Sequence, residues 1–382
     1  MIGIYLHIPF CKTKCSYCDF YSTASQALVQ PTVLAMQEEM SRRKNYFALA
    51  KKVSFDWPKS TLYVGGGTPS LLPAEMLAAL SQTAQAAFGA APPEEFTVEL
   101  NPDDATPAYM QQLRGMGVNR ISIGIQSFFD DDLRRLRRRH SAQQAVRSVQ
   151  LAQEAGFGNI SVDLIYGLPQ MDAERWRRNL NAAFSLGVPH LSAYALTIEP
   201  RTPFGALRRK NRLPTPSDDE VAMQYDLLCL LCAEQGLEHY EISSFARSGF
   251  FSQHNAAYWQ QQPYIGIGPA AHSYSGRQRQ CNVASCELYI KKVSAGEDFF
   301  ETENLSSECC YNEYVLTGLR TAWGVSKSYL QKTFDKKLTA YFFAALDKHI
   351  ENKNITVDGD RIAIPENRWF VADSIIVDLI WA

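Results

Sequence analysis

The chain has 382 residues, 46% of them hydrophobic and 20% charged, with a formal net charge of -2 at pH 7. That balance gives no electrostatic case for nucleic acid or an anionic membrane surface, and no apolar run reaches the roughly 20 residues of a bilayer-spanning helix. The length accommodates a barrel-sized core plus a smaller module, and the nine cysteines, behind an apolar N-terminus without the basic lead of a cleaved signal, predict a reducing, cytoplasmic setting.

Ile2–Leu6 reads as a strand and runs directly into His7-Ile8-Pro9-Phe10-Cys11-Lys12-Thr13-Lys14-Cys15-Ser16-Tyr17-Cys18-Asp19-Phe20. Cys11, Cys15 and Cys18 stand in C-x3-C-x2-C spacing, so one short loop can point three thiolates at a common centre. Soft sulfur ligands suit iron-sulfur clusters and zinc alike. Structural zinc sites usually use paired C-x2-C units or a Cys/His quartet. No second pair with nearby histidine follows in the next hundred or so residues. The spacing therefore favours a cubane 4Fe-4S cluster whose fourth iron has no protein ligand.

Further strands are predicted at Thr61–Val64, Phe96–Leu100, Ile121–Ile125, Ile160–Tyr166 and Leu191–Leu196. Helices lie between them: Pro73 opens one that Gly89 closes, Thr106-Pro107 opens one that ends near Gly117, and Asp172 starts one that ends near Gly187. Ser217-Asp218-Asp219-Glu220 is a capping box, after which Val221, Tyr225, Leu228, Cys229 and Cys232 share a helical face. Cys229 and Cys232 on that face read as core packing, and Cys281, Cys286, Cys309 and Cys310 have no interpretable spacing. Alternating strands and helices predict an α/β fold, with six βα units in a partial TIM-like barrel over residues 1–240. Chemistry is then expected at the C-terminal ends of the strands.

A stretch rich in Gln, Tyr, Pro and Gly from Gln253 to Gly276 marks an extension of the barrel over 241–300. Residues 301–382 predict a small α+β module of winged-helix character. Helical patterns lie around Tyr311–Arg320 and Lys327–Phe334, and Ile355–Val357 and Ile362–Ile364 flank the turn Asp358-Gly359-Asp360. No repeat or low-complexity tract is present.

Gly65-Gly66-Gly67-Thr68-Pro69-Ser70 follows a strand, where absent side chains let backbone groups approach a ligand. Alone, it would read as an ordinary tight turn. Glu99 ends an apolar strand, where a carboxylate can accept hydrogen bonds from amines or hydroxyls. Gln126 and Asp163 hold equivalent places on later strands. Arg138 lies in the run Arg134 to His140, whose simplest reading is a solvated helix face. In His254-Asn255-Ala256-Ala257-Tyr258-Trp259 an imidazole stands near two aromatic side chains, which by itself reads as a hydrogen-bonded structural histidine.

The cysteine loop, Tyr5, His7-Ile8-Pro9-Phe10-Cys11 and the glycine loop together resemble the radical S-adenosylmethionine (radical SAM) superfamily, and within it the oxygen-independent coproporphyrinogen III oxidase group. The resemblance runs from Ile4 to about Tyr274, more loosely beyond. It implies a (βα)6 fold and S-adenosylmethionine chelated at the open iron by its amino and carboxylate groups, with reductive cleavage to a 5′-deoxyadenosyl radical. It further implies cofactor contacts from Tyr5, Tyr17, Gly66, Gly67, Thr68, Glu99, Gln126, Arg138 and Asp163, and a backbone contact at Ala195.

Two branches of that group differ here. The oxidase carries a fourth cysteine where this chain has Phe20, and an additional N-terminal segment where this chain starts ten residues before Cys11. The H-N-x-x-Y-W run instead is similar to the haem-chaperone branch. That implies haem as ligand, with the His254 imidazole donating to its iron and Tyr258 and Trp259 packing on the porphyrin, and haem-accepting respiratory proteins, membrane-bound, as partners. His272 is a competing imidazole. The cluster and S-adenosylmethionine would serve assembly, homodimer formation or haem release. The alternatives are oxidative decarboxylation of coproporphyrinogen propionates, or radical chemistry on an unrelated substrate.

Overall fold

The computed structural model of the protein describes residues 2–49, 59–89 and 93–381. All six sequence-predicted strands are present with small shifts of boundary: β1 Ile2–Ile8, β2 Ser60–Gly66, β3 Glu95–Leu100, β4 Arg120–Gln126, β5 Asn159–Tyr166 and β6 His190–Ala195. They pair in parallel in chain order, as strands joined by helical crossovers must. The helix ends follow the sequence signals. Pro73 and Gly89 bracket Ala74–Phe88. Thr106 Oγ1 accepts from Tyr109 N at 3.1 Å, and Asp172 Oδ1 from Arg175 N at 2.7 Å. Ser217 and Glu220 form the reciprocal capping box of Asp218–Glu234. Each side-chain cap stabilises its helix by about 1 kcal/mol.

Strand residues alternate between two environments, because successive side chains leave opposite faces. Ile4, Leu6, Ile8, Leu62, Val64, Val98, Ile121, Ile123, Val162 and Leu191 join one hydrophobic core with helix residues such as Met36, Leu77, Leu80 and Met110. Each buried aliphatic side chain contributes about 1.5–3 kcal/mol. The opposite face carries Tyr5, His7, Tyr63, Glu99, Ser122 and Asp163, and these line a cavity. Parallel strands covered on both faces usually read as continuous apolar runs; the polar inner face here is the departure that makes room for chemistry.

The sheet continues beyond the six strands. β9 (Tyr264–Ile267) lies parallel to β1, and β10 (His272–Tyr274), β11 (Gln278–Asn282) and β12 (Phe300–Asn304) follow it antiparallel. At the other edge β8 (Ser244–Ala246) and β7 (Glu238–Glu241) are antiparallel, giving one sheet of 12 strands. The Gln253–Gly276 stretch is thus ordered: a helix, Gln253–Trp259, precedes β9 and β10. Strands of three or four residues are too short to display a readable period. Buried Arg43 ties the helix Val29–Arg42 to this extension through Glu39 (2.7 Å), Gly266 O (3.1 Å) and Ser273 Oγ (3.0 Å).

The C-terminal region runs helix Ser307–Leu319, β13 (Val325–Ser326), helices Lys327–Thr333 and Lys336–Glu351, then β14 (Thr356–Asp358) and β15 (Arg361–Ala363). The strands pair antiparallel in the order β13-β15-β14 beside these helices. The β14–β15 turn carries Gly359 at φ 59°, the left-handed conformation such a turn demands. Among the described residues, no helix is long and apolar enough to cross a membrane.

Candidate functional site

The cysteine loop leaves the end of β1 and is fastened from three directions. Cys11 N donates to Thr23 O at 3.0 Å, Ser16 N to Leu136 O at 3.0 Å, and Phe204 N to Ser16 O at 3.0 Å. Lys12 Nζ lies 3.2 Å from Asp104, which also accepts from Ser70 Oγ at 2.9 Å and pairs with Arg139 at 3.2 Å. Cys11, Cys15 and Cys18 are free, partly exposed thiols, and burial raises the Cys18 thiol above its ordinary pKa. Thr68 Oγ1 stands 3.6 Å from Cys11 Sγ, and Arg138 Nη1 stands 3.5 Å from Cys15 Sγ.

The donor set fits a cubane: Cys11, Cys15 and Cys18 are free thiols of one loop on the same cavity wall, and cysteine thiolates are the ligands that hold a 4Fe-4S cluster. Gly67 keeps the space beside them open: a Cβ there would meet Cys11 Sγ at 3.0 Å and Phe10 O at 2.7 Å.

The loop forms one wall of a cavity of about 1360 Å³ at the C-terminal ends of the strands, lined also by Tyr5, Tyr17, Gly66, Gly67, Thr68, Glu99, Gln126, Arg138, Asp163 and Ala195. The structure therefore brings together every residue carried over for S-adenosylmethionine. Glu99 accepts from Tyr63 Oη at 2.8 Å and from Gly66 N at 3.1 Å. Burial, reinforced by nearby Asp163, still pushes its carboxyl up to about 7. Burial likewise raises Asp163 to about 6, against the pull of Arg120 and a 3.4 Å hydrogen bond from Ser122. Two buried carboxyls whose ionisation is held back form a wall suited to a cationic guest, such as a sulfonium or an ammonium. Gly66 sits at φ 115° with its Cβ position 2.7 Å from the His7 ring, so only glycine fits there.

Arg138 does not lie on a solvated helix face. The helix Asp130–Arg135 ends before it, Arg137 turns the chain at φ 57°, and Arg138 points inward to Gly124 O (2.6 Å), to Asn101 Oδ1 and to Cys15. The run divides because the chain leaves the helix midway through it: Arg139 pairs with Asp103 at 2.8 Å, and buried His140 bonds Ile125 O at 3.0 Å.

His254 and Tyr258 also reach the cavity, while Trp259 is not part of its lining. The His254 ring is enclosed. Nδ1 lies 2.6 Å from Thr61 Oγ1, Nε2 lies 2.7 Å from Tyr258 Oη, and the ring stacks on Tyr63 with centroids 4.9 Å apart. Burial and Arg120 depress its pKa to about 3, so it is neutral with both ring nitrogens engaged. His272 instead is exposed on the lining, with Nε2 3.5 Å from Cys281 Sγ. Phe20 lines the mouth and is 70% exposed.

Sequence reasoning passed over Tyr63, which holds Glu99, and Asn101, which holds Arg138. Strand alternation was the available signal for Tyr63, since Thr61, Tyr63 and Gly65 share one face of β2. Nothing local marks Asn101, whose partner lies 37 positions away.

A family model described as the Radical SAM superfamily matches residues 5–183. The heme chaperone HemW of Bacillus subtilis is 36% identical over 350 residues, covering 91% of this chain and 90% of that protein. The mitochondrial radical S-adenosyl methionine domain-containing protein 1 of Mus musculus is 33% identical over 359 residues, covering 91% and 79%. The solved structure of Escherichia coli coproporphyrinogen III oxidase, HemN, superposes with a TM-score of 0.82 over 99% of this chain and 90% of its own. At 21% identity that likeness shows a shared fold.

Proposed function

The chain belongs to the HemW haem-chaperone family of the radical SAM superfamily, and from that premise we propose that it binds haem and delivers it to haem-dependent acceptor proteins, respiratory and membrane-bound, from the cytoplasmic side. The observation that carries the reading is the match along nine-tenths of both chains to a heme chaperone. Phe20, standing where the oxidase branch has a cysteine, favours this reading over the decarboxylase alternative.

In this reading Cys11, Cys15 and Cys18 hold a 4Fe-4S cluster, which when bound supplies an open iron for S-adenosylmethionine and a source of electrons. Glu99 and Asp163 offer carboxylates to the cationic end of that ligand, Gly66 and Gly67 let backbone approach it, and Tyr5 and Tyr17 pack against it. Arg138 offsets thiolate charge at Cys15. Haem would be held by Tyr258 and by exposed His272, whose imidazole would offer its iron a nitrogen ligand, while His254 acts behind Tyr258 as a positioning residue. On this reading the cluster and S-adenosylmethionine belong to 1–240 and the haem face to 241–300.

The test is haem titration of anaerobically prepared, cluster-loaded protein, followed by mixing with an apo-acceptor haem protein and separation of the two. Haem recovered on the acceptor supports the reading. Haem that never binds, or never leaves, overturns it.

A further inference from the structure

Away from the cavity, three side chains of different chemistry meet where the barrel joins the C-terminal region. Cys229 comes from the helix Asp218–Glu234, His239 from β7, and Glu366 opens the segment Glu366–Val371. His239 Nδ1 lies 3.0 Å from Glu366 Oε1 and 3.9 Å from Cys229 Sγ, and the three ligand atoms all lie within 4.8 Å of one another. From this juxtaposition we propose a second metal site, holding a zinc-class divalent cation on Cys229 Sγ, His239 Nδ1 and Glu366.

The distances suit that ion. With metal–sulfur bonds of about 2.3 Å and metal–nitrogen and metal–oxygen bonds of about 2.0 Å, these two separations subtend roughly 130° and 97°, either side of tetrahedral. One thiolate, one imidazole and one carboxylate are a mixed donor set that suits zinc and is too soft for calcium or magnesium. The imidazole is prepared for ligation. Its Nε2 lies 3.5 Å from Ile242 O, an outer hydrogen bond that orients the ring, and Nδ1, which faces Glu366 Oε1, would exchange that contact for the metal. Its ring is clamped between Phe245, stacked at 3.9 Å, and Trp369, edge-on at 4.3 Å.

The His239 side chain is 2% exposed and Glu366 is 56% exposed, so the site opens to solvent on the carboxylate side, where water takes the fourth position. Cys229 is more than core filling in this arrangement. Burial, with Glu366 adding to it, lifts its thiol to about 12, so metal binding displaces that proton to solvent. A cation here would clip the C-terminal segment to β7 and the Asp218–Glu234 helix, joining residues 137 positions apart in the chain. A plain His239–Glu366 ion pair accounts for two of the three groups, and the thiol, which packs against the core, is the one it does not use.

The test uses the full chain, cluster-loaded so that Cys11, Cys15 and Cys18 are already occupied, and titrates zinc chloride against a chromophoric chelator. One tight zinc per chain is expected. Cys229→Ser and the fold-sparing Glu366→Gln should each weaken it by at least about tenfold, with iron content unchanged. A wild-type chain that retains no zinc overturns the site, as does zinc held equally tightly by both variants.

Discussion

Tyr258 Oη lies 2.7 Å from His254 Nε2, one helical turn along Gln253–Trp259. With Thr61 on the other ring nitrogen, the pair makes His254 a buried strut whose lone pair is already taken. Replacing His254 by Ala should cost about 2–4 kcal/mol of stability, through two lost hydrogen bonds and a cavity, measured by denaturant unfolding. Bound haem in that variant should keep its Soret position while binding more weakly, whereas His272→Ala should shift the band. A shift with His254→Ala and none with His272→Ala would assign the iron to His254.

Glu99 sets a pH dependence for the cationic ligand. Its carboxyl is raised to about 7 by burial, so it must lose a proton before it can pair with a cation. Affinity for S-adenosylmethionine should rise with pH and level off above 7, being about tenfold weaker at pH 6. Isothermal titration from pH 5.5 to 8.5 reads the slope, and Glu99→Gln should flatten it. The sign reverses for the ligand-free chain: the stability that Glu99 contributes is complete below about 4.5 and falls by up to about 3 kcal/mol as pH climbs through 7.

Gly67→Ala should block cluster assembly and push the end of β1 and the cysteine loop away from it. The new methyl would stand 3.0 Å from Cys11 Sγ and 2.7 Å from a backbone carbonyl. Gly66→Ala adds the strain of φ 115° and a clash with His7, costing about 1–3 kcal/mol. Iron and sulfide content after anaerobic reconstitution, beside a thermal melt, separates the two effects. Full cluster occupancy in Gly67→Ala would contradict the cradle.

Arg138→Ala should lower cluster retention and make the iron-sulfur absorbance bleach faster in air, because the guanidinium beside Cys15 Sγ favours the thiolate. Lys in its place should restore only part of the effect, lacking the fork that also reaches Asn101 and Gly124 O. Unchanged bleaching in Arg138→Ala would reduce the arginine to a loop prop.

The barrel was legible because its signals are local. Caps at Thr106, Asp172 and Ser217 and glycines at strand ends announce themselves within a few residues, and all reappear in the fold. The cysteine loop was legible for the same reason. What stayed hidden depends on distance along the chain. β9 joins β1 from more than 250 positions away, Arg138 leaves its apparent helix face only because Arg137 turns the backbone, and the enclosure of His254 is set by Thr61 on another strand. Cys229 packs against the core and Cys232 within it, as their helical face predicts, but only folding brings His239 and Glu366 to Cys229.

The most direct measurement is the fate of coproporphyrinogen III with the reduced, cluster-loaded chain and S-adenosylmethionine under anaerobic conditions, followed by chromatography of the porphyrins. The expected result is no sustained formation of protoporphyrinogen IX from a preparation that binds haem and passes it to an apo-acceptor. Repeated turnover to protoporphyrinogen IX would contradict the account and make this chain an oxidase.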